Sequence, residues 1–248
     1  FRSPAQTGRL IDRITQRMSL FKKTILINFL LILTLVLIAG LSLFLGTTQI
    51  DFWACMKGDS SDTESIRSAT IILSYRLPRI LLAAVTGAGL ACSGVVFQGV
   101  LRNPLADPYI IGIAAGGALG AVTSISVFKW TWVGATTCSA FVGCLIAVAV
   151  VYALSFMRKT SSYMNTVILA GIIVGALMNA LMLLIMSMTG SSEIQRVLFW
   201  LMGDFSLADY QKIAFSAPIV VIGFLIVYLN ASRLNILLLG ETSALGLG

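Results

Sequence analysis

Six stretches of this chain run for about the thickness of a bilayer without an Asp, Glu, Lys or Arg: those that follow Lys23, Arg79, Asp107, Lys129, Lys159 and Lys212. A helix needs ~20 mainly apolar residues, at ~1.5 Å rise each, to cross the ~30 Å hydrocarbon core. In that medium every backbone N–H and C=O must be satisfied within the protein. The pattern predicts an all-α polytopic membrane helical bundle of about six spans, near 24–46, 80–101, 109–128, 131–157, 165–188 and 213–232. A basic segment, 1–23, precedes this 24–232 membrane domain, and a short tail, 233–248, follows it. With 58% hydrophobic and 11% charged residues, the chain lies far from the composition of soluble domains.

The charges between the spans set the topology. The net charge of +7 is distributed for a membrane rather than for nucleic acid, which is not expected as a partner; membrane lipid is. With a cytoplasmic N-terminus, the inner segments hold Arg2, Arg9, Arg13, Arg17, Lys22, Lys23, Arg102, Arg158, Lys159 and Arg233 against Asp12, Asp107 and Glu241. The remaining outer segments are neutral, so the basic excess sits inside. An even number of spans places Gly248 on the cytoplasmic side too, and the protein is expected in the cytoplasmic (inner) membrane.

The stretch from Arg76 to Gly120 carries the densest pattern. Gly112, Gly116 and Gly120 recur at four-residue spacing, as do Ala83, Gly87 and Ala91 on the preceding span. Lipid provides no hydrophobic drive between helices, so faces of small residues that let backbones touch are what hold such bundles together. Gly171 and Gly175 form a second close-packing pair, with Asn179 at the next four-residue step and expected to be buried against another helix.

In chain order, Leu10, Ile14, Met18 and Phe21 fit either a helix on the membrane surface or an arm that only orients the chain. Thr24 to Gly46 is too long for a signal-peptide core and reads as a retained span. A polar outer segment, 47–75, leads to Arg76-Leu77-Pro78-Arg79. These arginines suit snorkelling anchors or a docking site for an acidic partner. The outer stretch Glu193 to Lys212 contains Phe199 and Trp200, which fit a re-entrant or surface helix at the interface.

Absent chemistry narrows the mechanism. No Asp, Glu, Lys, Arg or His falls inside a span, which argues against the proton relays of proton-driven pumps. Sodium coupling remains open, because carbonyls and hydroxyls hold sodium where helices break. There is no Gly-Lys dipeptide, hence no P-loop, and no acid–base or nucleophilic set for catalysis in the membrane. With no histidine, and with Cys92, Cys138 and Cys144 in spans while Cys55 stands outside them, neither a metal site nor a disulfide framework is expected. No cofactor is expected, and the chain is not expected to be an enzyme.

Five stretches in order resemble one family: RLPR before a small-residue helix, NPLADPYIIG with the glycine stripe, VILAGIIVGALMNALM, FWLMGDFSLADY and LGETSALGLG. They resemble the FecCD/BtuC-like permease subunits of ABC importers for iron-siderophore, haem and vitamin B12. The resemblance implies the type II ABC importer permease fold, ATP-binding subunits beneath, an extracytoplasmic substrate-binding protein above, and a second permease copy completing a homodimer. It places Arg76 and Arg79 where members dock acidic residues of the binding protein. Asn103 and Leu105, with Met164 and Asn165, fall near the cytoplasmic gate, although Tyr163 and Met164 are bulkier than the small hydroxyl residues often found there. Leu239, Gly240, Glu241, Ala244, Leu247 and Gly248 match the start of the cytoplasmic segment that couples to the ATPase. Family members continue with further spans, so a fragment is expected. An iron chelate is the first expectation for cargo and vitamin B12 the second. An ion-gradient-driven secondary transporter and a non-transporting membrane scaffold stand as alternatives from other classes.

Overall fold

The computed structural model describes residues 4–46, 48, 63–130, 134–157 and 163–238. Every regular element among them is helical. The chain divides into two compact units, residues 1–80 and 81–248.

The first unit opens on α1 (Pro4–Phe44), so the basic segment from Pro4 onward and the first span are one continuous helix of 41 residues. Its apolar part lies within Phe21–Phe44, where an 18-residue window reaches a mean hydropathy of 2.7. After α2 (Thr63–Thr70) the helix widens into a π segment, Ile71–Arg76, and passes into α3 (Leu77–Leu101). The second span was expected over 80–101; the helical run instead starts upstream and continues through Pro78. Pro78 lacks an N–H, and its ring would collide with the carbonyl four residues back in a regular helix. The wider turn just before it, in which the Leu77 N–H bonds the Ile72 carbonyl five residues back, is a local adjustment of the kind that admits such a ring.

In the second unit α3 ends at Leu101 and a loop leads to a 3-10 turn, Pro108–Ile111. Asp107 caps that turn, its carboxylate accepting from the Tyr109 N–H at 2.9 Å. Gly112 then adopts a left-handed conformation (φ +75°) and α4 (Ile113–Val122) begins, ending in a π segment, Thr123–Phe128. The single span expected over 109–128 is thus a broken element. Its apolar helix, Ile113–Phe128, is shorter than the others, about 24 Å at 1.5 Å per residue. The remaining elements are α5 (Ala135–Met157), α6 (Tyr163–Ser187), α7 (Ser191–Met202), α8 (Tyr210–Leu229) and α9 (Ala231–Leu238). Five helical runs are long and apolar enough to cross a membrane: Phe21–Phe44, Ser65–Leu101, Ala135–Met157, Asn165–Ser187 and Tyr210–Leu229.

The short α4 is the most enclosed helix, because its small residues let neighbours approach. Ala115, Gly116, Gly117, Ala121 and Val122 are buried, and α4 packs on α5 and α6. One core cluster joins Ala115 to Ala147 and Val151 of α5 and to Ala170, Val174 and Met178 of α6. A second joins Val122 and Ile125 to Val197 of α7. By contrast α8 buries none of its residues; its apolar surface is of the kind that lipid or further protein covers.

Candidate functional site

The glycine stripe is the tightest part of the molecule. A Cβ on Gly112 would lie 2.9 Å from the Gly171 carbonyl oxygen and 3.0 Å from the Gly175 nitrogen. On Gly116 it would lie 2.5 Å from the Gly143 carbonyl oxygen, and on Gly120 it would overlap the Ser139 carbonyl. The stripe on α4 and the pair on α6 therefore meet at Gly112, whereas Gly116 and Gly120 meet α5. The matching face on α5, Gly143 and Ala147, was legible as another four-residue repeat of small residues and was missed.

Two related expectations are corrected. Ala83, Gly87 and Ala91 are exposed, and a Cβ on Gly87 would meet nothing within 4 Å. Asn179 is exposed as well, while Met178 is buried. A step of four residues advances about 40° round a helix, so two steps from Gly171 carry Asn179 off the packed face, and a step of three from Gly175 keeps Met178 on it.

Where α3 ends, the backbone closes a Schellman motif: the Asn103 N–H donates to the Gln98 carbonyl at 3.2 Å and the Arg102 N–H to the Gly99 carbonyl at 3.3 Å. Arg102 takes the left-handed position (φ +48°). Asn103 then folds its own loop, its side-chain oxygen accepting from the Leu105 N–H at 2.9 Å and its carbonyl from the Ala106 N–H at 2.9 Å. This Asx-type turn holds Leu105 outward, 84% exposed at the apex, over a buried Ala106. The 3-10 turn that follows packs on α6. Met164 and Asn165 lie in the first turn of α6. Asn165 borders a groove of about 360 Å³ with Leu154, Thr166 and Leu169; the Met164 side chain lies outside what is described.

One contact had no counterpart in the sequence reading. The Arg102 Nε donates to the Leu237 carbonyl at 2.9 Å, in the last turn of α9. Leu239, Gly240, Glu241, Ala244, Leu247 and Gly248, which directly follow that helix, fall outside the described residues.

In the first unit, Arg76 donates through Nη1 to the Leu43 carbonyl at 2.7 Å and through Nη2 to the Thr48 carbonyl at 2.6 Å. Leu43 lies in the last turn of α1, where carbonyls lack helical partners and a cation is favourable. Gly46 makes room for this, since a Cβ there would sit 2.7 Å from Nη2. Arg79 is exposed. Both arginines border a cavity of about 630 Å³ with Tyr75, Gly46 and Thr48.

In the second unit, α7 bears Phe199 and Trp200 with Val197 turned into the core. Trp200 borders a cavity of about 710 Å³ with Arg196, Asp204, Asp209 and Lys212. Asp209 caps α8 by accepting from the Lys212 N–H at 2.7 Å. Glu193 approaches Lys129 at 4.0 Å and Arg196 at 3.9 Å. A hydrogen bond from the Ser192 hydroxyl, first, and then these cations hold its carboxyl below the ordinary value.

Residues 31–248 match the FecCD transport family. The chain is 38% identical to the cobalamin import system permease protein BtuC of Halobacterium salinarum, over 72% of this chain and 47% of that protein. It is 38% identical to the Fe(3+)-citrate import system permease protein YfmE of Bacillus subtilis, over 72% of this chain and 53% of that one. The hemin transport system permease protein HmuU of Yersinia pestis is 31% identical over 90% of this chain and 66% of its own length. A solved structure described as an inward-facing metal-chelate type ABC transporter superposes with a TM-score of 0.75 at 33% identity, over 90% of this chain and 67% of that one. The chain spans about half the length of the first curated relatives that it matches.

Proposed function

Because the chain belongs to the FecCD transport family and has the type II ABC importer permease fold, we propose that it is part of the membrane-spanning permease of an ATP-driven importer. Its cargo would be a metal chelate or corrinoid, an iron chelate before vitamin B12. The family match over residues 31–248 carries this reading, and the uncharged spans support it by offering no ionisable relay for proton coupling.

In this reading the N-terminus is cytoplasmic, ATP is hydrolysed on partner chains, a second copy completes the pathway and a substrate-binding protein docks outside. Asn103 and Leu105, with Met164 and Asn165, form the cytoplasmic gate; Leu105 suits that role because its loop holds it at an exposed apex. Residues 239–248 contact the ATPase. Arg76 and Arg79 are the docking cations, and Arg76, whose guanidinium holds the end of α1, also positions that end. The glycine contacts make α4, α5 and α6 a single rigid body, so alternating access proceeds by rocking of packed helices rather than bending within them.

The experiment is uptake of ferric citrate and of cobalamin by cells carrying the full-length protein with its neighbouring subunits. Uptake that survives collapse of ion gradients while ATP is maintained supports the importer. Uptake that stops with the gradient while ATP is intact refutes it.

A further inference from the structure

We propose that Arg102 is the mechanical link between α9 and the gate loop, so that movement of α9 is delivered directly to Asn103 and Leu105. The inference rests on the reading of that loop given under Proposed function, and two independent observations carry it.

The first is backbone conformation. Arg102 occupies the left-handed position that ends α3 (φ +48°), where glycine is the common residue and a side chain is unfavourable. At the other left-handed turns the chain uses glycine at 112, 134 and 203. Among the described residues the other exception is Lys129 (φ +50°), whose ammonium approaches Glu193. Both non-glycine residues thus carry a side chain that makes a contact beyond the turn, and a conformation retained against its cost is a pointer to function.

The second is where the Arg102 side chain goes. Its Nε donates to the Leu237 carbonyl at 2.9 Å, near the end of α9 as described. The side chain of Leu238 lies over Gly99 in the final turn of α3, within ordinary contact of where a Cβ there would stand. α9 has eight residues and buries none of them; it is set off from α8 by Asn230, whose backbone leaves the helical region (φ −100°, ψ 6°). Arg102 is one peptide bond from Asn103, and the Leu237 carbonyl is two residues from Leu239. The path from α9 to the gate loop therefore runs through the Arg102 hydrogen bond, beside the Leu238 contact on Gly99.

The test places spin labels at Leu105 and Asn235, both exposed, in the full-length protein purified with its ATP-binding subunit. Distances are measured without nucleotide and with ATP trapped by vanadate. Native protein and Arg102→Lys, which keeps a donor within reach of the carbonyl, are expected to give the same single narrow peak in both states. Arg102→Gly relaxes the backbone, so its thermal midpoint is unchanged or higher, yet its peak broadens and shifts with ATP. The link is overturned if the native distance itself changes with ATP, or if Arg102→Gly keeps the native peak in both states. If no ATP-binding chain accompanies the protein, the importer reading fails. The nucleotide-free peak widths of native and Arg102→Gly protein then still decide whether Arg102 holds α9: a broadened peak in the variant supports the contact and an unchanged one overturns it.

Discussion

Gly116 and Gly87 both lie on apolar helices in four-residue repeats of small residues, yet only one of them touches a neighbour. A Cβ on Gly116 would be 2.5 Å from a backbone oxygen of α5, which cannot swing aside, and one on Gly87 would meet nothing. Gly116→Ala is expected to destabilise by about 1–3 kcal/mol, the usual cost of overpacking. Gly87→Ala should be neutral or favourable by up to about 1 kcal/mol through helix propensity. Thermal unfolding in detergent separates them, and equal effects would contradict the packing described. Glu193 gives a pH signature. Its folded pKa is depressed below the ordinary 4.5, so its stabilising contribution is present above that pH and is lost as pH falls through the lower folded value. The gap in thermal midpoint between the native protein and Glu193→Gln should accordingly be constant near neutrality and close only below pH 4.5. A gap that closes at higher pH would contradict the assignment. At the first unit's arginine pair, Arg76→Ala should lower the thermal midpoint, and Gly46→Ala should do so more mildly, because the guanidinium can shift at the loss of its carbonyls. Arg79→Glu should weaken capture of a substrate-binding protein. The reverse pattern would exchange their roles.

At the scale of elements, uncharged length was the legible signal and interruptions were the illegible one. The runs beginning near Thr24, Trp130, Thr160 and Ile213 became long helices, because a bilayer leaves few other ways to satisfy an apolar backbone. Residues 109–128 looked the same by charge but broke at Gly112, whose left-handed turn brings its backbone against Gly171 and Gly175. Nothing in the spacing of glycines distinguishes one that breaks a helix from one that packs it. Asp107-Pro108, a cap followed by proline, was the available cue for an irregular start. The π segment at the other end of α4 leaves the hydroxyl of Ser124 fully buried and, among the described residues, without a partner. Removing such a group relieves desolvation, so Ser124→Ala is expected to stabilise by about 1 kcal/mol. Ser155→Ala is the control, since that hydroxyl donates to the Val151 carbonyl at 2.7 Å, and it should be neutral or slightly destabilising. If Ser124→Ala were the more damaging of the two, the hydroxyl would have a use not accounted for.

For the molecule as a whole, the candidate site was readable where short motifs coincide with local backbone geometry. Asn103 and Asp107 close the turns that a loop of Asn, Pro and Asp favours, and the glycines that meet across α4 and α6 were named from spacing. The links between distant segments, Arg102 to Leu237 and Arg76 to Leu43, were not readable, because the sequence gives no measure of which loop an arginine will reach. Both have one form: an arginine donates to a backbone carbonyl in the last described turn of a distant helix. The central claim is that this chain belongs to a machine driven by ATP bound on another chain, and the most direct measurement is purification of the tagged full-length protein from its native membrane, with identification of the chains that accompany it. The account predicts an ATP-binding subunit that is retained by the native protein and lost on Glu241→Arg, with ATPase activity in the retained complex. Absence of any nucleotide-binding chain, or its undiminished retention by Glu241→Arg, would contradict it.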